Sequence, residues 1–546
     1  MDRRSLAPDG LRQSTEAESL SDELIQLAEA STRGSFLLTV GNLASTVISA
    51  LGVFIIAGLL QPELYGAYSL SLSIPAIFLL FVNMGVNEGL TWFSANLHSN
   101  GRTGELARLI RAGIVYNIIV GFFFFLLCFV FSDYLAAYMI ARPEYGGYVR
   151  LASFSILFQV LFSSASAVFT GFYRMEFSAL SSITAAILKI LISPVLIVLG
   201  LGILGAIAGV VVSFSVASAL GISIVFIKIY RKLRRTDLTS HFLADAKKLL
   251  KYGFPLYAAT IISGLYLQLQ SVILANFTSD IEVGFFRAAL NFVALVQVFS
   301  IAFSLSVFPA FARLERRSDR LKSFFSSSVK YTSLILLPLV FIIMAFSREI
   351  VLIVYGPSYS STPFYLILIM LQFLLAGLGG VVLASFFNGV GATGMNLRTS
   401  LIHIAVFIPL TLLLVNLYGV NGLIIGSLVA TSCSTIYGVF AVYKTFGAKP
   451  EWGTIVKIYL ASSISLALVL VFSHLFAYSN AIFRLSVGAS VFILIYLTLL
   501  PMLRILSLQD LSNLEQAMRK TKALAHIIKP VFSYERKLVR LVEKDA

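Results

Sequence analysis

Side chains able to carry charge-dependent chemistry are scarce inside the long apolar runs of this sequence: Glu88, Lys189, Arg287 and His403 are the candidates. An ionisable group at membrane depth costs about 2.5–3.5 kcal/mol to insert, so such residues usually face a wet cavity or a partner. Arg287 is the most informative because it opens a stripe. Arg287, Asn291, Ala294, Gln297, Ser300 and Ser304 are spaced by three or four and share one helix face. A polar stripe of that kind does not suit lipid; it either lines a cavity or packs against other helices. Arg287 sits near one end of its run, where a guanidinium can also snorkel to the headgroups.

Two other runs repeat the pattern, through Asn42, Ser45, Thr46, Ser49 and Gly52, and through Thr260, Ser263, Gly264, Gln268 and Ser271. Small polar residues also serve as helix-packing glue, and both readings stay open. Asn83, Asn87 and Glu88 end a further run, where the carboxylate either meets substrate or forms a link to Arg108, Arg111 or another cation. Lys189, with no acidic neighbour at its depth, points to an anionic ligand. His403, alone, reads as a satisfied core histidine as readily as a proton switch.

The common catalytic signatures are missing. There is no Walker A sequence and no HExxH, CxxC or GxSxG arrangement, so no ATP engine, metal centre or cofactor is expected. Asp133 and Glu144 read as ordinary loop charge. Cys128 and Cys433 both lie in apolar runs and form no disulfide framework.

The elements that must position these side chains follow from composition. The chain is 58% hydrophobic and 12% charged, and a soluble domain carries about twice that share of charge. A spanning helix needs about 20 mainly apolar residues. Apolar runs bounded by Gly, Pro or charge then predict fourteen spans, at roughly 34–59, 66–93, 112–131, 148–171, 179–200 and 204–227, then 252–277, 284–308, 329–347, 361–388, 399–417 and 421–443, and finally 455–477 and 481–503. The expected class is an all-α polytopic membrane protein. It has two pseudo-symmetric six-helix lobes, at 34–235 and 236–445, and two extra helices at 446–504.

The net charge of +15 sits in short loops. Arg102, Arg108 and Arg111 follow span 2; Lys228 to Lys251 follow span 6; Arg313 to Lys322 follow span 8; Lys444 and Lys449 follow span 12. Alternate loops carry almost none. Basic loops stay on the cytoplasmic side, which predicts cytoplasmic termini, anionic headgroups as their neighbours and no nucleic-acid partner. Residues 1–33 read as a polar cytoplasmic segment with no cleavable signal. Within it Ser19 could cap a short helix to Glu29.

An internal repeat underlies the lobes. Leu64-Tyr65-Gly66-Ala67-Tyr68 matches Glu282-Val283-Gly284-Phe285-Phe286, and Gly202, Gly205, Gly209 and Gly221 recur as Gly419, Gly422, Gly426 and Gly438. Pro194 and Pro409 precede the glycine runs. Six spans per copy place both copies in the same orientation, an arrangement in which halves rock about a shared substrate site. At the other end, 505–546 is an expected cytoplasmic tail. Ser507 and Asp510 form a capping box there, and Leu508, Leu511, Leu514 and Met518 make an apolar face that Pro530 terminates.

The duplicated six-span copies, the G-x-Y/F motif opening spans 2 and 8 and the G-x-x-G-x-x-x-G run opening spans 6 and 12 resemble a known group. They are similar to the polysaccharide exporters and O-antigen-type flippases of the multidrug/oligosaccharidyl-lipid/polysaccharide superfamily. The resemblance covers roughly 34–503. It implies a central cavity formed by spans 1, 2, 7 and 8, which takes the sugar and diphosphate of an isoprenoid-linked oligosaccharide while the tail stays in lipid. It also implies a monomeric, non-enzymatic transporter working beside glycan assembly proteins. On that view Arg287 is the first candidate for the diphosphate and Lys189 the second, with Asn291, Gln297, Asn42, Gln268, Asn87 and Glu88 as further substrate-contacting residues. Helices 1 and 2 carry no cation beyond Arg33, a departure from the lipid II flippase pattern. A cation-coupled multidrug exporter is the runner-up. A membrane glycan polymerase or ligase, or a non-transporting scaffold, is the remaining alternative.

Overall fold

A computed structural model describes residues 9–233, 242–473, 479–518 and 532–541, the side chains of 9–40, 42, 43 and a few scattered helical positions excepted. The described residues are all-helical. In chain order the helices are α1 (Asp9–Val82), α2 (Val86–Ser99), α3 (Thr103–Val130), α4 (Ser132–Met139), α5 (Gly146–Gly171), α6 (Met175–Leu196), α7 (Gly202–Ile224), α8 (Phe242–Phe277) and α9 (Asp280–Arg313). There follow α10 (Asp319–Ala345), α11 (Ser347–Tyr355), α12 (Thr362–Met370), α13 (Leu383–Gly389), α14 (Thr393–Phe446), α15 (Trp452–Ser473), α16 (Ala481–Met502) and α17 (Leu508–Met518), then α18 at 532–541. Among the described residues nine stretches are long and apolar enough to cross a membrane, and the bent pair Thr362–Leu378 and Leu383–Gly389 makes a tenth. Three of these stretches turn sharply inside, at Gln61 (φ 63°), at Gly200 and Gly202, and at Gly419 (φ 55°). The expected short helix at 19–29 runs within α1.

The chain forms two compact units. The first holds residues 1–52 and 71–268, the second 53–70 and 269–546. In the first unit α2, α3, α5, α6 and α7 pack side by side. Leu90, Ile110, Val168, Phe169 and Leu249 lie in one of its buried apolar clusters. Here the repeated glycines explain themselves. Gly202 takes a left-handed φ of 51°, which turns the chain back. A methyl on Gly205 would lie 2.8 Å from the Leu196 carbonyl carbon, and one on Gly209 2.6 Å from Ser193 Cα. Small residues thus let α6 and α7 touch along their backbones.

The second unit repeats the device. Gly419 turns α14, Gly422 faces Leu414 and Gly426 faces Thr411, again with no room for a side chain. The other repeated glycines meet each other's turns. A methyl on Gly66 would strike the Asp280 carbonyl, and one on Gly284 the Pro62 carbonyl.

Two expected continuous spans are broken. Span 2 ends at Val82 and restarts at Val86, through Met84 and Gly85 at positive φ (44° and 93°). Asn83 heads the new helix: its Oδ1 accepts from the Asn87 amide at 2.9 Å, so the orphan donor is satisfied without water. Span 10 unwinds to a 3₁₀ segment at Leu371–Leu378, with Gly379 at φ 95°. The freed carbonyls find hydroxyls. Tyr459 donates to Leu374 O, Ser333 to Ala376 O at 3.4 Å and Ser304 to Val381 O at 3.2 Å. Breaks at membrane depth are tolerated where such partners exist.

The capping box opens α17 as expected: the Asp510 amide donates to Ser507 Oγ at 3.1 Å and the Ser507 amide to Asp510 Oδ2 at 3.0 Å. Leu514 and Met518 lie outside the described side chains, and Pro530 outside the described residues. Helix α18 docks on the ends of α16 and α17. Val539 is buried, Arg536 pairs with Glu515, and Tyr534 shares a hydrogen bond with Thr498 at 3.0 Å. Glu535 is buried on the same helix, both carboxylate oxygens lack a partner, and burial pushes its pKa up to about 8.

Candidate functional site

The residues singled out by sequence fall into separate places, each within one unit. In the second unit α9 presents Arg287 and Asn291 one turn apart. Asn291 Nδ2 donates to Tyr65 Oη at 2.9 Å and to Tyr355 Oη at 3.0 Å. Tyr359 closes the group by donating to the Ala57 carbonyl at 2.6 Å. Phe54 and Phe292 each pack edge to face on Tyr355 beside it. Arg287 stands in this phenolic surround with its Nε sealed from solvent and no hydrogen-bond partner there. No described carboxylate pairs with it: Glu282, five residues before, accepts from Tyr365. A guanidinium short of acceptors among neutral hydroxyl and amide groups suits an oxyanion flanked by hydroxyls.

The rest of the stripe changes character along α9. Gln297 is exposed, Ser300 turns back to the Val296 carbonyl, and Ser304 reaches the broken helix described above. One end of the stripe is therefore packed and its middle open.

In the first unit Asn87 is buried and fully engaged. It donates to Ser163 Oγ at 3.1 Å and accepts from Asn117 Nδ2 at 2.9 Å, while Asn117 also donates to Ser164 Oγ at 2.8 Å. This ladder ties α2, α3 and α5 together. Asn117 went unremarked in the sequence, although it is the only asparagine in span 3. Glu88 accepts from Asn83 Nδ2 at 3.1 Å. Arg108, one of its expected partners, instead pairs with Asp245 at 2.9 Å.

Lys189 lies partly buried on α6 and holds no ion pair with a described residue. Its neighbour Ile190 packs against Gly52 of α1, which brings the Ser45, Thr46 and Ser49 stretch of α1 alongside α6. Gln268 is partly buried on α8, one turn from Gly264, whose backbone faces Leu80. The Asn42 side chain lies outside those described. His403 approaches Thr431 Oγ1 at 3.3 Å and stacks on Phe407, a packed setting. Among the described residues no three His, Cys, Asp or Glu side chains gather as a metal site would need.

A family model for polysaccharide biosynthesis proteins matches residues 31–315, more than half of the sequence. The chain belongs to this family. The lipid II flippase MurJ, solved in an inward closed conformation, superposes with a TM-score of 0.70 at 17% identity, covering 86% of this chain and 98% of that one. A probable low-salt glycan biosynthesis flippase, Agl15 of Haloferax volcanii, is 21% identical over 48% of this chain; the chain spans only 56% of that relative. The multidrug export protein MepA of Staphylococcus aureus is 24% identical over 74% of this chain and 91% of its own length. Family member and fold together make this a multi-pass membrane protein built as transporters of the multidrug/oligosaccharidyl-lipid/polysaccharide superfamily are built. The relatives are named as flippases and exporters, not enzymes.

Proposed function

We propose that the protein is a flippase that moves a lipid-linked oligosaccharide across the cytoplasmic membrane, for assembly of cell-surface polysaccharide or glycoconjugate, by alternating access. The reading keeps fourteen spans, lobes at 34–235 and 236–445, helices 13 and 14 at 446–504 and both termini in the cytoplasm. It takes the protein as a monomer whose partners are the isoprenoid-diphosphate substrate, membrane lipid and glycan assembly proteins. Arg287 carries it. A cation unpaired by any described carboxylate, ringed by Tyr65, Asn291 and Tyr355, offers one charge-assisted contact among several neutral ones. A sugar diphosphate asks for that balance, because sugars need many hydrogen-bonding groups and the diphosphate needs a cation. Lys189 supplies a second cation in the other unit, and Gln297 and Gln268 add neutral contacts.

The multidrug reading draws on MepA, which matches more of this chain than Agl15 does. A cationic drug would want an unengaged acid at depth, and Glu88 is already held by Asn83. Deleting the gene tests the choice. The flippase reading expects a lipid-linked oligosaccharide to accumulate inside the cell and surface glycan to vanish. Unchanged surface glycan with new drug sensitivity would favour the exporter.

A further inference from the structure

A cavity of about 400 Å³ opens in the second unit between α10, the start of α15, the end of α16, α17 and α18. Four charged side chains line it: Lys330, Glu451, Arg504 and Asp510. Lys330 and Asp510 satisfy each other at 2.8 Å, and Asp510 also accepts from Tyr331 and Ser507. Burial alone would raise the Asp510 pKa, but those donors hold it below the usual carboxylate range. Arg504 and Glu451 are exposed and hold no ion pair with a described residue. The cavity thus has no net formal charge, yet it offers one unengaged cation and one unengaged carboxylate.

Arg504 occupies an unusual place. It follows α16 at φ 54°, with the Ile505 amide donating to Leu500 O at 2.9 Å and its own amide to Pro501 O at 2.9 Å. This helix-ending turn is usually filled by glycine. An arginine held there against backbone preference sets its guanidinium at the cavity. The half-exposed Trp452 beside Glu451 fixes the level, since an amphipathic indole belongs at the lipid–water boundary. Leu506 and Val539 supply an apolar wall.

We propose that this cavity binds the headgroup of a phospholipid bearing a phosphate and a primary ammonium, a phosphoethanolamine, with the phosphate on Arg504 and the ammonium on Glu451. A purely anionic headgroup brings no cation to Glu451 and is disfavoured. A quaternary ammonium has no proton to donate to Glu451. A soluble phosphoethanolamine shares the polar chemistry but lacks the chains that continue along Leu506 into the bilayer.

The test measures lipid retained by the purified full-length protein, using native mass spectrometry from bilayer discs of phosphatidylethanolamine, phosphatidylcholine or phosphatidylglycerol. Phosphatidylethanolamine should be retained roughly tenfold over the other two, the range of one or two charge-assisted hydrogen bonds. Arg504→Gly should lower retention of phosphatidylethanolamine roughly tenfold, through loss of the phosphate contact, while the protein becomes no less heat-stable, because glycine suits the turn. Glu451→Gln should abolish discrimination against phosphatidylcholine. Equal or tighter retention of phosphatidylglycerol would overturn the proposal, as would unchanged retention of phosphatidylethanolamine in Arg504→Gly. Displacement of the lipid by an equal concentration of soluble phosphoethanolamine would overturn the assignment to a lipid.

Discussion

Gly253 of α8 rests against the carbonyl of Gly85 so closely that neither position has room for a side chain. The break in span 2 makes this possible, because Met84 and Gly85 leave the helix and expose flat backbone. Gly89 repeats the approach against Leu249 one turn on. Around the three glycines Trp92 stacks on Tyr252 at 4.6 Å, Arg108 reaches Asp245 and Lys248 reaches Glu105 at 2.6 Å. The result is a clasp, inside the first unit, between helices of the first repeat and the opening helix of the second.

Gly253→Val should force it open. Overpacking of this kind costs about 1–3 kcal/mol, which is roughly a 5- to 150-fold rise in the population of the opened clasp. Hydrogen exchange of the amides at 86–93 should accelerate by that factor, and the amides of α7 should not change. Unaltered exchange at 86–93 would show that the contact is incidental.

The two ion pairs of the clasp should differ in weight. Asp245 is buried, whereas Lys248 is exposed. Asp245→Ala strands the Arg108 guanidinium and should cost about 1.5–3 kcal/mol. Lys248→Ala loses an outer pair worth about 1 kcal/mol or less. Thermal unfolding of the purified variants orders them, and a larger loss for Lys248→Ala would contradict this assignment.

Asn117 should matter for folding more than for transport. Its removal leaves Asn87 Oδ1 and Ser164 Oγ without their shared donor, a loss of about 1–3 kcal/mol. Asn117→Ala should therefore lower the unfolding temperature while transport per folded molecule stays within about twofold. A loss of transport at unchanged stability would move Asn117 into the substrate path.

Docking of α18 should depend on pH through Glu535. The docked carboxyl keeps its proton up to about pH 8, whereas a free glutamate releases it near 4.5. A raised pKa in the docked state means the docking is strongest below pH 4.5, weakens through the window up to about 8 and is flat above it. Neither Glu535 carboxylate oxygen has a hydrogen-bond partner among the described residues, so nothing there offsets the burial. Limited proteolysis of the tail should accelerate as pH rises from 6 to 8, and Glu535→Gln should remove the dependence. Equal dependence in Glu535→Gln would assign it to another group.

Much of this architecture was legible because its cause is local. A glycine repeat at fixed spacing marks helices that turn back and touch closely: Gly202 and Gly419 make the turn, and Gly205 with Gly422 and Gly209 with Gly426 the close approach, in each unit. The Ser507–Asp510 box was readable for the same reason. The breaks were not, since an apolar run looks alike whether its carbonyls bond within the helix or to Tyr459, Ser333 and Ser304. Partners distant in sequence were also hidden. Nothing near Arg287 announces that Asn291 will bond Tyr65, 226 residues away, or that Arg108 will find Asp245 rather than Glu88.

Transport of a fluorescent isoprenoid-diphosphate oligosaccharide in reconstituted vesicles, wild type against Arg287→Ala and Arg287→Lys, bears most directly on the flippase reading. A guanidinium that meets the diphosphate through more than one N–H should not be replaced by an ammonium, so Arg287→Ala should fall by roughly 100-fold and Arg287→Lys by about tenfold. All three proteins should unfold at similar temperatures. Wild-type transport by a well-folded Arg287→Ala protein, or no transport of this substrate by the wild type itself, would contradict it.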